Sequence, residues 1–393
     1  MTRPVPTTKT RFLPFHQPLI EEADIEAVVG VMRSGWLTTG ARTREFEAEF
    51  ARYVGASHAL ALNSCTAALH LALAAVGVTE GDEVILPAMT FAATGEVVQY
   101  FKARPVLVDC APGSFQADPA EIERAITPRT RAILVVHYGG AAADLDAILA
   151  IAHSHGLRVI EDAAHALPTR YKGRMIGSLS DVTCFSFYAT KTITTGEGGM
   201  ATTENLDYAE RMRSLSLHGI SRDAYKRYTA EGTWRYEILE AGYKYNLTDM
   251  QAALGLTQLA KCDAMRARRE SIAQSYTGQL ASKDAFEAPI VPSAAEHAWH
   301  LYPLMLNLDA LTAGRDRVIE ELKQRGVGTS VHFIPLHLHP CYQQGFGYWP
   351  GQFPNAEHQF ERVVSLPIYP SMTDEDVECV IEALHDVART FRR

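Results

Sequence analysis

Lys191 follows the apolar run Cys184-Phe185-Ser186-Phe187 and precedes the glycine-rich turn Gly196-Glu197-Gly198-Gly199. A lysine at such a junction is placed to form a Schiff base with an aldehyde cofactor such as pyridoxal phosphate (PLP). That chemistry makes three further demands. An acid must keep the pyridine nitrogen protonated, an aromatic or apolar group must lie against the ring, and an anion site must take the phosphate. In an α/β sheet these groups belong at the carboxyl ends of strands. Asp162 ends the apolar run Arg158-Val159-Ile160-Glu161 and is followed by Ala163-Ala164-His165, so its carboxylate can pair with a pyridinium. Strand alternation points its neighbour Glu161 to the other side. The stretch Asn63-Ser64-Cys65-Thr66-Ala67-Ala68 follows a strand pattern and opens a helix pattern, a place where backbone N–H groups and hydroxyls bind phosphate well. Ser186 adds a hydroxyl, Phe91 an aromatic face and His165 a partner for the phenolic oxygen. Each also has an ordinary structural reading. Ser64, Thr66 and Asp162 are common helix caps, and most phenylalanines are core. Their joint occurrence at strand ends favours the cofactor.

The elements that must position these groups can be read from the hydrophobic pattern. Strands are predicted at His58–Leu62, Glu83–Pro87, Pro105–Asp109, Arg131–Tyr138, Arg158–Asp162, Val182–Phe187 and Gly199–Thr203. Helices are predicted at Ala67–Ala75, Gly95–Phe101, Asp118–Ala125 and Leu145–His155 between them. This alternation implies an α/β fold with a largely parallel sheet flanked by helices. After Thr248-Asp249-Met250-Gln251, a capping-box pattern, one long helix is expected from Asp249 to about Leu280. A smaller α+β unit then has strands at His300–Leu306 and Gly328–Phe333, a helix at Asp316–Gln324 and a final helix from Thr373 to about Phe391. The expected division is a large cofactor domain over 1–250, its first twenty or so residues an arm, and a connecting helix with a small domain over 251–393.

The chain has 393 residues, 47% hydrophobic and 21% charged, which suits a globular protein of more than one core. A net charge of −9 argues against non-specific nucleic-acid binding. No apolar run reaches the length of a membrane helix, and Met1–Arg11 does not read as a secretory signal. Cysteines at 65, 110, 184, 262, 341 and 379 form no CxxC pair, so free thiols in a reducing cytoplasm are expected. His332, His337 and His339 are not spaced as a standard ligand set, and no metal is expected. Arg268 and Arg269 could meet a diphosphate, though a solvated helix face is the simpler reading.

Together with Ser34-Gly35-Trp36-Leu37-Thr38-Thr39-Gly40, Gly242-Tyr243-Lys244-Tyr245-Asn246 and Val331-His332-Phe333, these motifs resemble the DegT/DnrJ/StrS family of PLP-dependent sugar aminotransferases. That family is a branch of the aspartate aminotransferase fold, PLP fold type I. Within it, Val135-Val136-His137-Tyr138 and Ala143-Asp144-Leu145-Asp146 are most similar to the enzymes that make UDP-4-amino-4-deoxy-L-arabinose. Phe91 stands where those enzymes carry tryptophan, and Thr192 replaces an asparagine. The resemblance implies Lys191 as the catalytic Schiff-base lysine. It places Cys65, Thr66, Ala67, Phe91, Asp162, Ala164, His165 and Ser186 around the cofactor. Asn246 would reach the neighbouring subunit's cofactor phosphate, so a homodimer with shared sites is expected. Thr38, Thr39, His332 and Tyr342 are candidate substrate contacts. The implied reaction takes an amino group from L-glutamate, leaving 2-oxoglutarate and the pyridoxamine form (PMP). The group then passes to a nucleotide-linked, UDP-favoured, 4-keto sugar for surface polysaccharide, lipid A or a related glycoconjugate. A 3-keto sugar aminotransferase, a PLP-dependent sugar dehydratase and a non-catalytic regulator on the same fold are the competing readings. Relatives that dehydrate replace the lysine with histidine, and this chain keeps the lysine.

Overall fold

The computed structural model describes residues 12–220, 236–280, 284–291 and 295–393. Its centre is a seven-stranded sheet. The strands in chain order are β1 (His58–Leu62), β2 (Glu83–Pro87), β3 (Arg104–Val108), β4 (Thr130–Val136), β5 (Arg158–Asp162), β8 (Val182–Ser186) and β9 (Gly199–Thr203). Two short strands, β6 (Arg170–Tyr171) and β7 (Arg174–Met175), lie between β5 and β8 in sequence. The order across the sheet is β1-β9-β8-β5-β4-β2-β3. All neighbours from β3 to β8 run parallel, and β9 is antiparallel to both β8 and β1. The expected α/β class and mostly parallel sheet are therefore observed.

Alternation divides the sheet's side chains between two apolar layers. Val84, Leu86, Leu134 and Ile160 face one layer, packed by helices α3 (Cys65–Ala75), α4 (Ala92–Gln99) and α7 (Leu206–Ser216). Ile85, Ile133, Val135 and Val159 face the other. That second layer is built by α2 (Ala41–Val54), α5 (Pro119–Arg124), α6 (Leu145–His155) and α8 (Asp249–Ala260). Helix α1 (Glu22–Ser34) packs on α8, and Lys261 ties the two through ion pairs to Glu21 and Asp24. Both edges of the sheet are covered by side chains. The Tyr348 hydroxyl accepts from Leu107 N–H (2.9 Å) and donates to the Pro105 carbonyl (3.0 Å) along β3. On β1, Glu47 accepts from Ala61 N–H (2.9 Å) and Arg213 donates to the Ala59 carbonyl (3.2 Å).

A third apolar cluster joins α9 (Cys262–Leu280) and a small antiparallel sheet to α10 (Arg315–Gln324) and α13 (Asp374–Thr390). Its strands are β10 (Phe286–Glu287), β12 (Tyr302–Leu306) and β13 (Val363–Leu366), while β11 (Ala295–Glu296) pairs with β6. The N-terminal segment adds Leu13, whose backbone bonds Gly326 and Gly328. Conversely, α11 (Pro340–Phe346) and α12 (Pro354–Arg362) return to the large sheet. Tyr342, Tyr348, Phe353 and Ala356 sit in its first apolar layer. No helix among the described residues is long and apolar enough to cross a membrane.

Three expectations need correction. The helix expected from Asp249 to Leu280 is two helices, Asp249–Ala260 and Cys262–Leu280, divided at Lys261, which caps the first at φ −101°, ψ −1°. Gly328–Phe333 is not a strand. Ser330 bridges Ser365, but Tyr138 Oη then donates to the His332 carbonyl and Leu336 N–H donates to Ala88, so the segment bonds across to the large sheet's loops. Arg269 is not on a solvated face. It is 1% exposed and donates to the carbonyls of Ile368 (2.6 Å) and Trp299 (3.4 Å), while Arg268 bonds the Met372 carbonyl and Asp374.

Candidate active site

The carboxyl ends of β5 and β8 open onto one cavity of about 500 Å³. Asp162, Ala164 and His165 reach it from the end of β5, and Ser186 from the end of β8. The chain then turns, with Lys191 N–H donating to the Tyr188 carbonyl (2.9 Å), and presents the Lys191 side chain to the same space. The start of α3 contributes Ser64, Cys65 and Thr66, and Phe91 sits at the start of α4. His300, His332, Phe333 and Ile368 enter from the C-terminal part, and Phe15 and His16 from the N-terminal segment.

Asp162 is 6% exposed. Its Oδ2 accepts from Thr94 Oγ1 (2.8 Å) and its Oδ1 from Ala164 N–H (3.1 Å). Burial pushes its carboxyl above the usual range, only partly countered by these hydrogen bonds and by the Lys191 charge. Burial likewise pulls the Lys191 ammonium down to about 8, against the attraction of Asp162. Glu161 points away, as alternation requires. It is fully buried behind the site, bonded to His137 Nε2 (2.7 Å) and Thr183 Oγ1 (2.9 Å).

His165 Nδ1 accepts from Gly139 N–H (3.2 Å), which leaves the proton on Nε2. Burial, together with the Lys191 charge, holds this ring neutral. It stacks on Phe333 (centroids 5.8 Å apart) and lies 4.4 Å from the ring of His300. His332 shares a hydrogen bond with Ser365 Oγ (2.9 Å) through Nδ1 and is pulled down to about 4, mainly by burial. His337 and His339 go elsewhere, to Glu357 and the Ile334 carbonyl.

At the α3 start, Ser64 Oγ accepts from Ala67 N–H (3.1 Å). Ala67 is thus buried just behind the cavity wall rather than on it. Gly199 is what lets β9 pass this helix start. A Cβ there would lie 2.4 Å from the Ser64 carbonyl carbon and 2.6 Å from Cys65 N. Phe91 is 60% exposed and lies tilted against Phe333, 5.7 Å between centroids.

Besides Ala67, four predicted residues lie off this cavity. Tyr342 is 3% exposed under α4, its hydroxyl directly against Gly95. It packs the core and is not placed to touch a ligand in the cavity. Thr38 is exposed, and Thr39 Oγ1 accepts from Asn246 Nδ2 (2.7 Å) while donating to the Leu247 carbonyl. Thr38, Thr39 and Asn246 form one surface patch outside their own chain's cavity. Thr94, His300, His16 and Phe15 were not foreseen. Only Thr94 had a local signal, being four residues after Thr90 at the start of a helix, where the two hydroxyls bond at 2.7 Å.

These residues fit PLP. A buried carboxylate, disfavoured as an anion and holding two donors among the described residues, suits a pyridine N–H. A partly neutral lysine suits an aldehyde, and an uncovered aromatic ring suits a flat one. The α3 start with Ser186 suits a phosphate.

Residues 18–385 match the DegT/DnrJ/EryC1/StrS aminotransferase family. An uncharacterized protein of Methanocaldococcus jannaschii, MJ1066, is 53% identical over 97% of this chain and 99% of its own. The spore coat polysaccharide biosynthesis protein SpsC of Bacillus subtilis is 49% identical, over 97% of this chain and 98% of its own. The putative sugar aminotransferase Spr1654 of Streptococcus pneumoniae, solved in a PMP form, superposes with a TM-score of 0.91 at 35% identity, covering 96% of this chain and 99% of its own. The chain belongs to the DegT/DnrJ/EryC1/StrS family and is a PLP-dependent sugar aminotransferase.

Proposed function

We propose that this enzyme transfers an amino group from L-glutamate to C4 of a keto sugar carried on a nucleotide, UDP being favoured. The observation that carries the reading is the convergence of Lys191 and buried Asp162 on one cavity. Bound there, PLP supplies an electron sink and carries the amino group between the two half-reactions.

The chain's own residues would act as follows. Lys191 would hold the aldehyde, and its free amine would serve as the base that moves the donor's Cα proton. A lysine held near pKa 8 is neutral often enough to do this near physiological pH. Asp162 holds the pyridine N–H. His165, proton on Nε2, donates to the phenolic oxygen, and its stacking on Phe333 fixes the ring's plane. Cys65, Thr66, Ala67 and Ser186 hold the phosphate, with Ala67 acting through the helix start rather than from the wall. Phe91 covers the ring, Ala164 lines it, and His332 meets the substrate. Asn246, Thr38 and Thr39 act on the partner subunit's site in a homodimer. The division into a large domain over 1–250 and a smaller one over 251–393 belongs to the same proposal. The relative named for spore coat polysaccharide supports a product destined for a surface glycan.

The test is a panel of nucleotide-linked 4-keto and 3-keto sugars offered with glutamate, the product read by mass. A mass gain matching amination of a 4-keto sugar, with 2-oxoglutarate released in equal amount, is expected. Water loss without glutamate consumption would overturn the reading in favour of a dehydratase.

A further inference from the structure

Helix α2 begins at Gly40, a residue with no side chain to cap it. Its first N–H groups are met instead by a residue more than two hundred positions away. Asp249 is 3% exposed, and its Oδ1 accepts from Gly40 N–H (2.7 Å), Thr43 N–H (2.9 Å) and Thr43 Oγ1 (2.7 Å). Its Oδ2 accepts from Arg42 N–H (3.2 Å), and its own N–H donates to the Thr38 carbonyl (3.3 Å). Asp249 is also the first residue of α8, so one carboxylate sits between the positive ends of two helices. The helices are in close contact there: a Cβ on Gly255 would lie 2.6 Å from the Phe46 ring.

We infer that Asp249 is a positioning residue for the Thr38–Thr39–Asn246 patch, fixing how that patch meets the partner subunit's cavity. The hydrogen bonds that tie the loop 36–40 to distant described residues support this. Thr39 bonds Leu247 and Asn246, and Gly40 and Thr38 bond Asp249. The loop's other hydrogen bonds among the described residues are local: Trp36 Nε1 donates to the Thr39 carbonyl (3.2 Å), Trp36 N–H to Ser34 Oγ (3.2 Å) and Arg44 N–H to the Gly40 carbonyl (3.3 Å). Without the carboxylate, four donors at the α2 start lose their acceptor, and the loop is left tied to this segment by the Thr39 hydroxyl and by the backbone bond from Asp249 N–H to Thr38. The loop's outer face carries Trp36 and Leu37, 44% and 45% exposed, beside Met32 of α1 at 59%, an apolar surface suited to a second copy of this chain. The inference rests on the proposed sharing of sites between subunits.

The test uses Asp249→Ala and Asp249→Asn in PLP-loaded dimer. A rise of about tenfold in KM for the keto-sugar nucleotide is expected for Asp249→Ala, with the visible cofactor band and bleaching by glutamate within about twofold of wild type. Asp249→Asn, which keeps shape and one acceptor, should fall between. Hybrid dimers of Asp249→Ala and Lys191→Ala subunits then report which cavity the patch serves. One site of the hybrid has both an intact lysine and an intact patch from its neighbour, so about half of wild-type activity should return. Wild-type KM in both Asp249 variants would overturn the role of Asp249 and leave site sharing standing. Loss in Asp249→Ala without recovery in the hybrid would overturn site sharing and the inference with it. If Asp249→Ala does not fold, an unchanged KM in Asp249→Asn is the refuting result.

Discussion

Replacing Asp162 by Asn should separate two effects that a buried carboxylate produces at once. The side chain is 6% exposed, and its two hydrogen bonds survive the change. Ala164 N–H still meets the amide oxygen, and Thr94 Oγ1, paired with Thr90, can turn to accept from the amide nitrogen. What is lost is negative charge opposite the pyridine nitrogen. Breaking one partner of a buried charge pair costs about 3–5 kcal/mol, or roughly two to three and a half decades in rate if the pair acts mainly in the transition state. The sign reverses for the cofactor-free protein. Burial raises the Asp162 carboxyl above its unfolded value, so its favourable contribution to folding is complete only at pH below the unfolded value. That contribution is lost as pH rises through the folded one. At neutral pH the charged form therefore costs stability, and the amide removes the cost. Stopped-flow bleaching of the visible band by glutamate gives the rate, and thermal unfolding of apo-protein gives the stability. A rate within tenfold of wild type, or an apo Tm lowered by more than about 3 °C, would refute the reasoning.

Capture of PLP by apo-protein requires neutral Lys191, whose pKa is pulled down to about 8. The capture rate should rise with pH to about 8 and flatten above it, and a rate still climbing toward the ordinary lysine value of about 10.4 would contradict this. Gly199→Ala forces a Cβ to within 2.6 Å of the Ser64–Cys65 backbone. It should destabilise the protein by about 1–3 kcal/mol and weaken PLP binding, read by urea unfolding and cofactor titration. Phe91→Ala should weaken PLP binding about tenfold with little change in apo stability, because the ring is 60% exposed, whereas Phe91→Trp should retain it. Equal PLP affinity in the alanine and tryptophan variants would show that the ring does not stack.

The parts of the fold legible in the sequence were those that a central sheet makes simple. β1, β2, β5 and β9 were read residue for residue, because strands buried on both faces are short apolar runs bounded by turn residues. Helices α1, α2 and α7 are not among the elements read from the sequence; in Ala41–Val54 the apolar positions Phe46, Phe50 and Val54 do recur at helical spacing, but they are few among many charged residues. The misread strand at Gly328–Phe333 has β-forming residues, but its partners lie across the cavity, which no local pattern records. The site divides in the same way. Lys191, Asp162, Ser186 and Thr66 belong to strand ends and could be found along the chain. His300, Phe15 and His16 reach the cavity from segments about a hundred residues or more from Lys191. Tyr342 lies instead in the core under α4, against Gly95, a long-range packing that no local pattern records.

The covered edges of the large sheet bear on how this chain survives its own synthesis. An open β3 edge presents unpaired backbone groups to any neighbouring chain. The Tyr348 hydroxyl that covers it lies 241 residues further on, and Asn355 and Ala356, held by Asp109, later still. A ribosome must therefore make most of the protein before that edge is protected. Truncation before Tyr348 would yield a chain prone to self-association, and nascent chains of this enzyme would depend on chaperones that shield extended edges until the last quarter arrives.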